Sequence, residues 1–195
     1  TLGRGTLPDT HPLCFESSLA IRPGAAMFAN MSADLVLFLG NRVSLYYIFG
    51  DIFNKEAKII QVDIEPEEIG RNRSVDLAVL SDIKALLNSC NLLLKESDRY
   101  QGLPKRFREW VASLRKANED GKSIFQAQWE SPDTPIHPLR LAAEVNKFMS
   151  KEGDIVVADG GDTQVWMGMT RTVRQQGHYL DSGLYGCLGV GIPYA

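Results

Sequence analysis

Three short apolar runs, separated by segments with helical character, limit the possible folds of this chain more than any other feature. The runs cover residues 34–39, 58–63 and 77–80. Helical segments are predicted over residues 15–31 and 45–54. Short continuous apolar runs are typical of parallel strands covered on both faces, and their alternation with helices is typical of a doubly wound sheet. The chain is therefore predicted to be an α/β protein with a parallel sheet.

Two amphipathic helices are predicted after the third run. Ser81 is a favourable N-cap, and apolar residues then recur every three or four positions. This stripe comprises Ile83, Leu86, Leu87, Cys90, Leu93 and Leu94. A second stripe comprises Phe107, Trp110, Val111 and Leu114. We interpret both stripes as helix faces that pack on the core.

A change of character between residues 118 and 138 indicates a domain boundary. The segment is polar and irregular and contains one glycine and three prolines, as is common in linkers. We place a first domain at residues 1–130 and a second at residues 131–195. Roughly 60 residues bury too little surface to offset the ordering entropy of a core, so the second domain is predicted to be truncated.

The alternation of helix and strand returns in the second domain. The predicted elements are a helix opened by His137 and Pro138, a strand at 154–158, a helix at 163–172, a short strand at 178–180 and a glycine-rich segment at 182–191. The turn at residues 159–162 follows the longer of the two strands. This is the carboxyl edge, where open α/β sheets bind ligands.

Composition and charge narrow the classes of function. The 21 Lys and Arg residues against 24 Asp and Glu give a net charge of −3, which does not suit a nucleic-acid surface. No apolar run approaches the ~20 residues of a membrane span. The three cysteines, Cys14, Cys90 and Cys187, lack metal-type spacing and favour a reducing compartment. We therefore expect a soluble, cytoplasmic protein without nucleic-acid or membrane partners.

Two predicted strand ends are candidates for binding a phosphorylated ligand. Gly40 to Arg42 could offer backbone N–H groups and a guanidinium to a diphosphate, or form a simple turn. Asp63 could accept hydrogen bonds from ribose hydroxyls, or cap the turn that contains Pro66. Neither stretch has the spacing Gly-x-Gly-x-x-Gly. For Gly3 to Gly5 an ordinary turn is favoured.

The end of the chain offers another candidate site. Asp162 and Thr163 lie where a strand meets a helix, so first-turn N–H groups and the Thr163 hydroxyl could bind phosphate oxygens; a plain N-cap is the alternative role for Asp162. Four glycines that would admit a flat ligand follow at Gly183, Gly186, Gly189 and Gly191. No set of nucleophile, base and orienting group and no metal-ligand cluster is found. No catalytic or metal-binding residue is therefore predicted.

Five segments together resemble the thiamine diphosphate-dependent decarboxylases and carboligases, above all the acetolactate synthase catalytic subunit. They are GRGTLPDTHPL (3–13), ADLVLFLGNR (33–42), AKIIQVDIEPEEIGRN (57–72), DIVVADGGDTQVW (154–166) and LDSGLYGCLGVGIPYA (180–195). The resemblance covers nearly the whole chain. It implies a middle domain of the DHS-like NAD/FAD-binding type, followed by the first part of a domain that binds thiamine diphosphate.

The resemblance also implies positions for the thiamine cofactor. Asp162 and Thr163 correspond to residues that approach the diphosphate, and Gly186 and Leu188 to residues that hold the aminopyrimidine. Leu188 departs from the methionine usual in acetolactate synthases. The glutamate that protonates the pyrimidine is missing. The Mg²⁺-binding Gly-Asp-Gly with a later Asn is missing too, since no Asn follows Asn146, so the metal ligands are expected outside this chain.

A flavin is the second cofactor that the resemblance implies. In acetolactate synthases the middle domain binds FAD without redox use. The residues at or near flavin-contacting positions are Gly24, Gly40, Arg42, Asp63 and Asp82. Residues 16–20 depart from the family's glycine-rich stretch, and relatives bind ADP or nothing. FAD, ADP and no ligand stay open.

The expected function is part of an enzyme that decarboxylates a 2-keto acid and ligates the product. In the family the cofactor lies between two subunits, so we expect a homodimer or homotetramer of the full-length protein and no turnover by the isolated chain. One alternative is an enzyme of the 2-hydroxyacyl-CoA lyase or oxalyl-CoA decarboxylase type. Another is a non-catalytic module that binds ADP or FAD.

Overall fold

The structure is a computed structural model that describes residues 3–15, 23–97, 103–149, 151 and 153–195. The chain forms two compact units. Met27–Leu114 form the three-strand unit, and Thr1–Ala26 with Arg115–Ala195 form the two-strand unit. The predicted domains divide the chain near residue 130, and that boundary stays a prediction.

Three parallel strands form the sheet of the three-strand unit, in the order β1-β2-β3. They are β1 (Leu35–Leu39), β2 (Lys58–Asp63) and β3 (Leu77–Leu80), which confirms the predicted strands and the α/β class. Phe38, Ile59 and Val62 are buried, whereas Leu35 and Leu37 are half exposed. The expectation that β1 is covered on both faces is therefore wrong for the described chain.

The helices in this part of the sequence are α1 (Ala25–Ser32), α2 (Ile83–Lys95) and α3 (Leu103–Arg106). Residues 16–22 of the predicted helix at 15–31 lie outside the described residues. The N-cap of α2 is Asp82 and not Ser81, because the Asp82 carboxylate reaches the amide of Ala85 at 2.8 Å. No residue of α2 is buried, so the expectation that its apolar stripe packs on the core is wrong.

The segment predicted as a helix over residues 45–54 instead forms a short 3-10 turn at Leu45–Gly50. Ile48 and Phe49 have positive φ angles of 50° and 52°, which interrupts any α-helix. Tyr47 stacks on Phe53 with 5.4 Å between ring centroids. The aromatic side chains thus pack together in a conformation that local helix propensity does not predict.

A long helix, α4 (Arg108–Trp129), replaces the expected beginning of a linker at residue 118. Its glycine, Gly121, is a weak helix former, but here the missing side chain is needed for packing. A Cβ atom at Gly121 would lie 2.5 Å from the Pro23 carbonyl oxygen and 2.7 Å from the Gly24 Cα. The glycine in this polar segment thus reflects a close contact between α4 and the backbone of Pro23 and Gly24, and the helix itself is continuous.

The two-strand unit contains a second small parallel sheet, formed by β4 and β5. Its elements are α5 (Pro138–Phe148), β4 (Val156–Val157), α6 (Asp162–Thr170), β5 (Tyr179–Leu180) and α7 (Gly191–Tyr194). His137 caps α5 as its side chain accepts from the Leu139 amide. Ala142, Val156, Ala158 and Met167 form the core between these elements. Each predicted element is present, with shorter strands.

The N-terminal segment is anchored within the two-strand unit. Arg4 donates to the carbonyl oxygen of Gly168 at 2.9 Å and forms a buried ion pair with Asp9 at 3.3 Å. Asp9 in turn accepts from the Val173 amide at 2.6 Å and donates to the Val173 carbonyl at 2.8 Å. The expected turn at residues 3–5 therefore also makes tertiary contacts, which anchor the N-terminal segment.

None of the helices described could cross a membrane.

Replacing Gly121 with alanine tests the contact between α4 and Pro23. Alanine gains about 1 kcal/mol of helix propensity, but its Cβ atom would collide with backbone atoms that cannot rotate away. We expect Gly121→Ala to lower the free energy of unfolding by about 2 kcal/mol, measured by urea denaturation. Gly153→Ala is the matched control, since nothing lies within 4 Å of its added Cβ. Equal or higher stability of Gly121→Ala would contradict the packing.

Candidate functional site

The turn Asp159–Gly161 follows β4 at the carboxyl edge of the small sheet, where it meets the glycine-rich end of the chain. One carboxylate oxygen of Asp159 accepts from the amides of Gly160, at 2.8 Å, and Val190, at 3.0 Å. The pKa of Asp159 lies below its usual value, chiefly because the Gly160 amide donates to the carboxylate, with further amides from residues 189–191. Asp159 thus joins two segments that lie far apart in sequence.

The two segments approach so closely that a side chain would not fit between them. A Cβ atom at Gly160 would lie 2.1 Å from the Cys187 carbonyl oxygen and 2.4 Å from that of Gly186. At Gly161 it would lie 3.0 Å from the Leu188 Cδ2. The turn after β4 and residues 186–188 therefore meet at one edge of the small sheet, and we call this region the glycine crevice.

Gln164 fixes the preceding part of the glycine-rich segment. Its side-chain amide donates to the Gly183 carbonyl oxygen at 3.1 Å and its side-chain oxygen accepts from the Ser182 hydroxyl at 3.1 Å. The Tyr179 hydroxyl donates to its backbone oxygen at 3.3 Å. Sequence reasoning assigned no role to Asp159 or Gln164, although Asp159 lies directly after a predicted strand, which was the available signal.

The sequence-predicted residues at the crevice present both polar and apolar groups. Asp162 and Thr163 are exposed in the first turn of α6. The N-cap of α6 is Gly161, with φ 68°, which supplies no side-chain cap. The alternative prediction that Asp162 is the N-cap is therefore wrong. Gly186 has φ 56° and open space beside it, and Leu188 is 77% exposed. The crevice can therefore offer helix N–H groups, an open backbone and an apolar side chain.

A second group of predicted residues lies at the carboxyl edge of the three-strand sheet. The Gly40 amide donates to the Val62 carbonyl oxygen at 2.8 Å, and the Ser81 amide to that of Asp63 at 3.0 Å. A Cβ atom at Gly40 would lie 2.6 Å from the Ile83 Cδ1, next to the α2 cap. Gly40, Asp63 and Asp82 are thus brought together at one edge.

Several of these residues already have protein partners. The Asp63 carboxylate accepts from the Glu65 amide at 3.0 Å, as in an Asx turn. Arg42 pairs with Glu68 at 3.1 Å. Gly24 belongs to the two-strand unit, where its backbone lies against Gly121. Among the residues described, no group of three or more His, Cys, Asp or Glu side chains could hold a metal ion.

Replacing Asp159 with asparagine tests its role in holding the crevice. A lowered pKa means that the ionised carboxylate stabilises the fold above its usual pKa of 3.8, and that this contribution disappears as the pH falls through the folded-state value. Asp159→Asn should lower Tm at neutral pH. The difference in Tm between this variant and the unmodified protein should become smaller under acid conditions. Thermal denaturation across this pH range provides the measurement.

The control for Asp159→Asn is Asp162→Asn, which makes the same chemical change at an exposed position nearby. Its Tm should stay close to that of the unmodified protein throughout. A constant Tm difference for Asp159→Asn from neutral to acid pH would show that the charge does not act as we describe.

Comparison with known proteins identifies a matching family model and several similar proteins. Residues 1–90 match the model of the thiamine pyrophosphate enzyme central domain. A probable acetolactate synthase large subunit of Methanocaldococcus jannaschii is 31% identical, and 2-hydroxyacyl-CoA lyase 1 of Homo sapiens and acetolactate synthase 1 of Zea mays are each 29% identical. The alignments cover 100% of this chain and 32%, 32% and 30% of these relatives, respectively.

The chain therefore spans about a third of the length of the curated relatives that it matches. Residues 1–90 thus belong to the central domain of the thiamine pyrophosphate enzymes, and the whole chain is similar to acetolactate synthase large subunits and to 2-hydroxyacyl-CoA lyase.

Proposed function

We propose that the glycine crevice forms part of a thiamine diphosphate site, and that the protein decarboxylates a 2-keto acid and ligates the product. The observation that carries this proposal is the contact between the turn after β4 and residues 186–188. It brings the proposed diphosphate-binding residues and the proposed pyrimidine-binding residues to one edge of one sheet. Family membership supports the same cofactor.

The residues of the crevice fit this cofactor in three respects. The first turn of α6 begins at a glycine without a side-chain cap, so its amide groups are suited to bind phosphate oxygens. At Gly186 the open backbone can accept a flat ring and its amino group. The exposed side chain of Leu188 can lie against the cofactor and support a bent conformation.

The charges at the crevice explain why a divalent cation would be required. Asp159, Asp162 and Asp181 lie in the segments that form this edge, and residues 175–195 contain no Lys or Arg. A diphosphate would be repelled by these carboxylates unless a cation neutralised it. We therefore propose Mg²⁺ as a second component, with ligands outside this chain.

Thiamine diphosphate supplies the carbanion chemistry for decarboxylation and carbon–carbon ligation when it is bound. The residues of this chain bind and orient it. The α6 amides hold the diphosphate end, Gly186 and Leu188 hold the ring end, and Asp159 keeps the two walls at a fixed separation. The exposed apolar side chains of Leu188, Tyr185 and Ile192 support a homodimer or homotetramer in which another subunit covers the cofactor.

Replacing Gly186 with alanine should weaken cofactor binding, because the added Cβ would occupy the space proposed for the pyrimidine ring. We expect Kd for thiamine diphosphate with Mg²⁺, measured by calorimetry on the full-length protein, to rise at least about tenfold. Gly177→Ala is the matched control, since Gly177 also has a positive φ, 80° against 56°, and open space beside it. Equal weakening by both substitutions would contradict the proposed ring position.

The identity of the substrate can be tested by product analysis. We expect the full-length protein to convert pyruvate to CO₂ and a ligated 2-hydroxy keto acid. Cleavage of a 2-hydroxyacyl-CoA thioester, with no product from pyruvate, would favour the second type of relative, 2-hydroxyacyl-CoA lyase. Tight binding of ADP or FAD with neither reaction would favour the non-catalytic module.

We propose FAD as the ligand of the three-strand unit, where Gly40, Asp63 and Asp82 share the carboxyl edge of the sheet. Gly40 is exposed, so its loop can approach a diphosphate, and Asp63 lies at the strand end suited to a ribose. A flavin absorbance spectrum of the purified full-length protein tests this. ADP in place of flavin, identified by chromatography of the denatured supernatant, would assign the site to a nucleotide without redox chemistry.

A further inference from the structure

A cavity of about 210 Å³ lies at the edge of the two-strand sheet opposite the glycine crevice. Its lining residues precede β4 and β5 in the chain, whereas the crevice follows β4, and the two strands are parallel. Five of its lining residues are basic: Lys147, Lys151, Arg171, Arg174 and His178. None of the described residues that line it is acidic.

Arg171 lines this cavity and is 6% exposed. Its guanidinium donates to the backbone oxygens of Met149 and of Asp154, the latter at 3.0 Å. Its Nε has no hydrogen-bond partner. Buried arginines are normally paired with a carboxylate, but in the described part of the chain only neutral carbonyl groups accept from this one.

The neighbouring charges add to this imbalance. The pKa of Arg171 lies below its usual value because burial disfavours the charged form and the Arg174 guanidinium repels it, while Asp154 partly compensates. In the described chain the side chains of Lys151 and Arg174 form no hydrogen bond or ion pair. A bound anion would relieve the repulsion and supply the missing partners.

The alternative explanation is that these cations only neutralise the C-terminal ends of α5 and α6. Each helix end carries about half a negative charge, and the carboxylates of Glu144, paired with Lys147 at 2.9 Å, and Asp154 add two more. Among the described residues, the four Lys and Arg side chains still exceed this total by about one charge, without counting His178. Of the four, Lys151 and Arg174 form no side-chain hydrogen bond to either helix end in the described chain, so capping does not account for them.

We infer that this cavity binds a small phosphorylated anion, at a site separate from the glycine crevice. Its volume is below the ~300 Å³ at which pockets for drug-sized ligands begin, so it suits a single phosphate group better than a nucleotide. The fork of Arg174 and the ammonium of Lys151 can bind phosphate oxygens directly, while buried Arg171 maintains the positive potential of the cavity.

Calorimetric titration of the full-length protein with inorganic phosphate tests this site, against chloride of equal ionic strength. We expect Kd for phosphate to rise about tenfold or more in Lys151→Gln/Arg174→Gln. Each charge-assisted hydrogen bond that is lost contributes at least as much free energy as a tenfold change in Kd requires. Both side chains are exposed and unbonded, so folding should be retained, as circular dichroism can verify.

Two controls separate this site from general charge effects and from the glycine crevice. Arg115→Gln/Lys122→Gln removes the same charge from exposed positions on α4, and Gly186→Ala alters only the crevice; both should leave Kd for phosphate unchanged. Glycerol 3-phosphate as a second probe distinguishes an ester from the free ion. Undiminished phosphate affinity in Lys151→Gln/Arg174→Gln, or equal loss in Arg115→Gln/Lys122→Gln, would overturn the inference.

Discussion

The hydrogen bonds from backbone amides to the Asp159 carboxylate are the interaction on which the candidate site depends. One side chain at the end of β4 accepts from the turn that begins α6 and from Val190, 31 positions later. Asp159 thereby ties the glycine-rich segment to the end of β4. The absence of side chains at Gly160 and Gly161 then allows the two backbones to meet. The shape of the crevice thus follows from a carboxylate and two glycines.

The two edges of the small sheet differ in charge, and we propose different ligands for them. Carboxylates lie at the carboxyl edge, where the proposed anionic cofactor would require a metal ion, whereas basic side chains line the cavity at the amino edge. A buried arginine without a carboxylate partner becomes reasonable once an anionic ligand is considered.

The errors of sequence interpretation have a common physical origin. A stripe of leucines identifies the helix α2, but it does not tell whether another element covers them, and in this chain none of them is buried. Conversely, Gly121 and the polar residues around it suggest a linker, although Gly121 is required where α4 meets Pro23. In both cases local propensity was overridden or left incomplete by contacts with distant residues.

The strands, their parallel arrangement and the location of the candidate ligand edge were determined by the sequence alone. These features depend on short-range patterns: apolar runs, glycine positions and the rule that strand ends bind ligands. Only the tertiary structure decided that Asp159 and Gln164 hold the crevice, and that Lys151, Arg171 and Arg174 share a cavity. Such groupings depend on the path of the backbone between residues far apart in sequence, and no local pattern records that path.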